Sequence, residues 1–189
     1  GAFHVAGSPT AARSWAEIAG DAGEPLVGLS DFAQAGATFP FGTHIAVAEV
    51  DTETGHATVE RIIAVDDAGV IINPLLAAGQ IHGGLAQGIA QALLEEFRYD
   101  EDGNPQTSNL ADYTAISMME VPMYERSFTE TSTPRNPLGA KGIGEAGSIG
   151  STPAVQSAVI DALAPFGIRH LDMPLTPERI WSALQSSVA

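Results

Sequence analysis

Hydrophobic and polar positions alternate most cleanly between Thr43 and Val50. Ile45, Val47 and Glu49 fall on one side and His44, Ala46, Ala48 and Val50 on the other. A period of two is that of a strand. Thr52-Glu53-Thr54-Gly55 supplies a turn, and His56 to Asp66 returns with Val59, Ile62, Ile63 and Val65, so the pair predicts a β-hairpin. Gly1 to Val5 also reads as a strand. Ser8 is placed to cap a first helix, with Pro9 at its first position, Trp15, Ile18 and Ala19 on the apolar face and Gly20 to Pro25 ending it. Leu26 to Gly42 has no clean period and reads as a loop.

Asn73-Pro74 announces a long helix from about Leu75 to Glu96. Leu76, Gln80, Gly84, Gln87 and Gln91 recur at helical spacing, and so many glutamines and glycines in one stripe are unusual for a plain core helix. Phe97 to Tyr99 and the turn Glu101–Asn104 suggest a second hairpin, and Ser127 to Thr131 a further strand. Thr133 to Gly150 reads as a loop rich in Gly and Pro, Pro153 to Leu163 as an apolar helix and Ile168 to Leu171 as a short strand. Thr176-Pro177-Glu178 opens a final helix through Ile180, Trp181 and Leu184. The fold class expected is α+β, mixed α/β, with antiparallel hairpins, a long central helix and C-terminal helices.

Composition narrows the function. With 189 residues and 44% hydrophobic positions, the chain suits one domain, or one domain with an appended helical tail. Eight basic residues against 23 acidic ones give a net charge of −15, which repels phosphate backbones and anionic membrane surfaces, so neither nucleic acid nor membrane is an expected partner. The absence of cysteine excludes disulfides, thiolate ligands, iron–sulfur ligation and a cysteine nucleophile within this chain, and fits a reducing compartment, here read as cytoplasmic. No apolar run reaches the roughly 18 residues of a membrane span, and the chain opens without Met directly in a strand, as a part of something larger would. The five histidines, His4, His44, His56, His82 and His170, show no ligand spacing, so no metal site built from protein side chains is expected.

Gly142-Ile143-Gly144-Glu145-Ala146-Gly147 matches the dinucleotide fingerprint G-x-G-x-x-G. That fingerprint needs a strand just before it, and Pro134, Pro137 and Gly139 argue against one. The more informative feature is Glu145 itself, a lone carboxylate flanked by Gly139, Gly142, Gly144 and Gly147. Glycines let backbone approach a ligand closely, and desolvation there would raise the pKa of the carboxyl toward that of a useful general base. On residue chemistry alone, a solvated glutamate in a flexible loop reads as well. Lys141 could counter a phosphate or bond loop carbonyls. His82 suits a structural role more than a functional one, and Asp66 and Asp67 suit turn formation. Met118, Met119 and Met123 suit core or interface packing, and Gln87 and Gln91 either the groove of Gln80 or a neighbouring domain.

The run Asn136 to Gly147 (NPLGAKGIGEAG) closely resembles the active-site loop of molybdenum hydroxylase large subunits, the xanthine dehydrogenase, aldehyde oxidase and aerobic carbon monoxide dehydrogenase family. A second match runs upstream through Val65–Gly69, Ile72-Asn73-Pro74 and Gly79-Gln80-Ile81-His82-Gly83-Gly84-Leu85-Ala86-Gln87-Gly88-Ile89, and Phe41-Gly42-Thr43-His44 with the strand to Asp51 also fits. The resemblance covers roughly Phe3 to Leu184. It departs at Ala68, where the family often has Cys, and at Ile116, where it often has Pro.

The resemblance implies that residues 1–189 are a C-terminal molybdopterin-binding domain, a fragment or separately encoded part of a subunit several times longer. It implies Glu145 as catalytic base, and Gln80, Gly83, Gly84, Lys141, Gly142 and Gly144 as cofactor contacts. The implied cofactor is molybdenum-molybdopterin in its cytosine dinucleotide form, with FAD and 2Fe-2S clusters on partner subunits or domains. The implied reaction oxidises a carbon centre of a small molecule (aldehyde, N-heterocycle, purine or CO) with water as oxygen source, the isolated chain being inactive. The alternative is a non-catalytic module that completes a site on a partner chain.

Overall fold

The computed structural model describes residues 1–34 and 36–187 and divides into two compact units, Gly1–Gln34 and Ala35–Ala189.

In the first unit, β1 (Ala2–Val5) and β2 (Ser8–Ser14) pair antiparallel and are followed by α1 (Trp15–Ala22). Ser8 therefore opens a strand, and the helix starts six residues later than its sequence suggests. Ser14 caps it in a reciprocal box with Glu17, whereas the residue three beyond Ser8 is Ala11, which has no side chain to return the bond. Phe3 and Trp15 meet edge to face with centroids 4.4 Å apart. No side chain of α1 is buried.

In the second unit, β3 (Phe41–Val50) and β4 (Ala57–Asp67) form the expected hairpin, with a register shift between Val47 and Ala48. The stretch before β3 is irregular as expected, Ala35 lying outside the described residues. Asn73 caps α2 (Pro74–Leu93) by accepting from the amides of Leu75 and Leu76, and Pro74 occupies the first helical turn. The helix stops at Leu93: the Leu94 amide still makes the regular bond to the Ala90 carbonyl, but the Glu95 amide reaches back five residues to that same carbonyl instead of continuing the ladder. Beyond it, the second hairpin reduces to a single bridge, Tyr99 with Pro105, followed by the short α3 (Leu110–Tyr113). Then β5 (Tyr124–Thr129), three residues earlier in its start than the strand expected at 127–131, joins the sheet in the order β3-β4-β5 and pairs with β4 in parallel. The α2 crossover brings the chain back in the same direction.

The last two helices are α4 (Ala146–Leu163), followed by a 3-10 turn at Ala164–Phe166, and α5 (Pro177–Ser187). The start of α4 lies seven residues before Pro153. Proline favours a first turn, yet here it sits inside the helix. What extends the helix backward is tertiary packing on α2. A Cβ on Gly84 would come within 2.7 Å of the Gly147 Cα, and one on Gly88 within 1.8 Å of the Ser151 hydroxyl. The glycine stripe of α2 is thus the groove in which α4 lies. Residues 168–171, expected as a strand, are irregular, since among the described residues no strand pairs with them. The Leu171 carbonyl is instead taken by Gln156, while Ile168 and Leu171 join the core. That core gathers Val59, Ile62 and Ala64 of β4, Ile81, Leu85 and Ile89 of α2, Val155, Val159 and Leu163 of α4, and Ile180 and Leu184 of α5.

Candidate functional site

The end of β4 is polar and buried. Asp66 and Asp67 are 2% and 0% exposed; Asp67 forms a turn as expected, taking the amide two residues on, and both are in addition internal anchors. Asp67 accepts from the Gly69 amide at 3.0 Å, the Thr129 hydroxyl at 3.0 Å, the Thr131 amide at 2.7 Å and Lys141 Nζ at 2.9 Å. Burial pushes its carboxyl up, but the Gly69 amide, the Lys141 ammonium and Thr131 together outweigh burial and hold it well below the usual carboxylate range.

This anchor ties down the loop that carries Glu145. Lys141 donates its backbone N–H to the Ala68 carbonyl at 2.8 Å, and Gly69 bridges Ala140. The Gly139 carbonyl accepts from the amides of both Val70 and Thr133 at 3.1 Å, which Gly139 permits by its left-handed φ of 69°. Asn136 closes the loop from within, donating to the Ala140 carbonyl and accepting from its amide. The loop is therefore held in place, and Lys141 spends its charge on Asp67 and over the Phe41 ring, 4.7 Å from its centroid.

Glu145 stands at the N-cap of α4. Its carbonyl accepts from the Ile149 amide and the Ser148 hydroxyl, and its carboxylate makes no capping bond. The side chain is exposed, so the desolvation expected from sequence is absent in this chain. The reason is that the glycines around it expose backbone without supplying side chains to cover a neighbour.

Gln80 of α2 reaches the same place. A Cβ on Gly144 would lie 3.8 Å from Gln80 Oε1, so the two distant motifs adjoin. Gly83 and Gly142 have nothing within 4 Å of a Cβ position and present bare backbone. Beside them a cleft of about 200 Å³ runs between residues 70–73, the first turns of α2 and residues 140–143. Gly84, expected among the cofactor contacts, is instead buried in the crossing with α4. Gln91 accepts from the Thr152 hydroxyl on α4 rather than entering the cleft. His82 is exposed and lies 5.3 Å, centroid to centroid, from the Tyr124 ring. Met118, Met119 and Met123 are exposed, so they fill no core.

The residues missed in the sequence are His44 and Asp66. His44 Nε2 lies 3.1 and 3.2 Å from the two Asp66 oxygens, deep under α4, where a Cβ on Gly150 would strike the imidazole ring. The available signal was the inward register of His44 beside Ala46, Ala48 and Val50, which puts a polar group on the core face of a strand and demands a partner.

The α+β unit thus sets side by side a helix start whose exposed carboxylate makes no capping bond, a glycine loop with bare backbone and the Gln80 amide next to Gly144. The sequence profile of the molybdopterin cofactor-binding domain matches residues 1–122. The large chain of carbon monoxide dehydrogenase from Hydrogenophaga pseudoflava is 39% identical over 97% of this chain and 24% of its own length. The large subunit of nicotine 6-hydroxylase from Paenarthrobacter nicotinovorans is 41% identical over 79% of this chain and 18% of its own. Among solved structures, carbon monoxide dehydrogenase from Oligotropha carboxidovorans superposes with a TM-score of 0.88 at 34% identity, covering 99% of this chain and 24% of that one. Quinoline 2-oxidoreductase from Pseudomonas putida 86 does so with a TM-score of 0.88 at 37% identity, covering 98% of this chain and 25% of that one. The chain belongs to the molybdopterin cofactor-binding family, and it spans about a quarter or less of the length of these relatives. Among the described residues, no helix is long and apolar enough to cross a membrane.

Proposed function

We propose that this chain contributes the base-bearing wall of the active site in a cytoplasmic molybdenum hydroxylase that oxidises a carbon centre of a small molecule with water as oxygen source. Both units, residues 1–189, would belong to one C-terminal molybdopterin-binding part. The observation that carries the reading is the approach of Gln80 Oε1 to Gly144, 3.8 Å from where a Cβ would stand, which brings the Gln80 motif beside the loop that carries Glu145. Bound in its cytosine dinucleotide form, the molybdenum cofactor would supply the Lewis acid and the two-electron acceptor, with FAD and 2Fe-2S centres on partner subunits carrying electrons onward.

The residues present fit that group. The Gln80 amide can both donate to and accept from a pterin edge, and Gly83, Gly142 and Gly144 leave backbone groups reachable at its plane. Lys141 acts on the loop rather than on a phosphate, since its ammonium is occupied by Asp67. Glu145, with no bond to its own helix end, is free to accept the proton released as the water-derived oxygen attacks the substrate carbon. Because this chain holds one wall only, it would neither retain the cofactor nor turn over by itself.

The test is Glu145→Gln in the assembled enzyme. Removal of a general base costs about 10²–10⁴-fold, so kcat should fall at least about 100-fold while molybdenum and pterin contents stay unchanged. Retention of most of the turnover at full cofactor content would refute the assignment.

A further inference from the structure

Two separate observations meet on one side of the unit Ala35–Ala189. The first is main-chain chemistry. β3 is an edge strand, hydrogen-bonded among the described residues to β4 alone over its ten residues. In such a strand alternate N–H and C=O groups point away from the sheet without partners. Natural edges are blocked by Lys, Pro, a very short strand or a bulge, and of these β3 has only the irregularity between Val47 and Ala48. Phe41, Ile45 and Val47 along it are all more than two-fifths exposed. The register shift lies beyond Val47, so the stretch from Phe41 to Val47 is regular.

The second observation is a buried polar atom. The His44 side chain is 2% exposed, Asp66 occupies its Nε2, and Nδ1 has no hydrogen-bond partner among the described residues. The His44–Asp66 pair borders a small cavity of about 70 Å³ between residues 40–42 and the first turn of α4. Phe41 and Ile149, both exposed, flank it. A buried nitrogen left without a partner is unfavourable, so the cavity calls for one hydrogen-bonding group set among apolar ones.

We propose that the open edge of β3 receives a further β-strand from the remainder of the large subunit. At the Phe41 end, a side-chain hydroxyl or amide of that segment would reach His44 Nδ1. The inference rests on the reading that this chain is one part of a longer subunit. A strand is the occupant that fits, because a helix satisfies its own main chain and no small ligand spans the roughly 30 Å of a ten-residue strand. The source is the missing remainder rather than a second copy. About three quarters of the related carbon monoxide dehydrogenase large chain lies outside the matched segment, and a net charge of −15 opposes self-association.

Residue-resolved amide hydrogen exchange tests this on the 189-residue chain and on the assembled large subunit, with molybdenum content measured on the same samples. In the chain alone, the β3 amides should alternate between slow and fast. In the assembled subunit, the fast set should slow by about 100-fold or more, as ladder amides do relative to open ones. A fast set that stays fast in an assembled, molybdenum-containing subunit overturns the strand inference and leaves the proposed function standing. Protection in a subunit that binds no molybdenum supports the strand and refutes the function. Slow exchange throughout β3 in the dilute chain would show the edge already closed. Protection that grows with concentration of the chain alone would identify a second copy as occupant. Either result overturns the proposal.

Discussion

Asp67→Asn is the substitution that most directly probes how the Glu145 loop is held. The native carboxylate is fully buried and accepts four hydrogen bonds, one of them from Lys141, whose side chain is only 10% exposed. Asparagine has nearly the same shape and keeps one acceptor oxygen, so packing and part of the amide network survive. What it removes is the charge opposite a largely buried ammonium, and it turns an amide NH₂ toward Lys141 or toward the Thr129 and Thr131 donors. Breaking one side of a buried ion pair costs about 3–5 kcal/mol, well above the roughly 0–1 kcal/mol of an exposed pair. At about 2–4 °C of melting temperature per kcal/mol for a chain of this size, the midpoint should fall by roughly 6–20 °C. Urea unfolding followed by circular dichroism measures the loss, and amide exchange at Gly139 and Lys141 should rise with it. The double variant Asp67→Asn with Lys141→Met removes both charges and should recover most of the stability, because the penalty comes from the orphaned cation. A loss under about 1 kcal/mol for the single variant, or no recovery in the double, would mean that the pair is solvated and the loop is held by its backbone bonds alone.

The pH dependence follows from the same carboxylate. Its folded pKa is depressed, so its contribution is fully present above the ordinary Asp value of about 3.9 and is lost only as pH falls below that; acid titration of stability should steepen below pH 4 in the native chain and less so in Asp67→Asn. Gly84→Ala forces a Cβ to within 3.0 Å of α4 backbone and should destabilise by about 1–3 kcal/mol, whereas Gly83→Ala meets nothing and should stabilise by about 0.5–1 kcal/mol, both read from urea midpoints. Gln80→Ala should lower molybdopterin content in the assembled enzyme, since a buried pterin group would lose a partner at about 1–3 kcal/mol; wild-type occupancy would remove Gln80 from the site.

The sequence was enough wherever the physics is local. The β3–β4 hairpin is legible because its turn residues and alternating sides need only neighbours along the chain, and the Asn73-Pro74 start of α2 because a cap acts within one turn. Glu145 and Gln80 stood out through the resemblance of their short glycine-rich runs to a known family, while residue chemistry alone left Glu145 equally readable as a solvated loop glutamate. Tertiary structure decided what depends on groups far apart in the chain. α4 begins at Ala146 because the Gly84 and Gly88 groove of α2 extends the helix past the point where Pro153 would start it. β5 runs parallel to β4 because a helix intervenes, a fact with no periodic signature of its own. Asp67 closes a turn on the Gly69 amide, as its sequence suggests, but the burial of two adjacent carboxylates depends on His44, 22 positions from Asp66, and Lys141, 74 positions from Asp67, arriving beside them. The exposure of Glu145 is decided at the same level: desolvation needs neighbouring atoms, and glycines within its own loop cannot provide them.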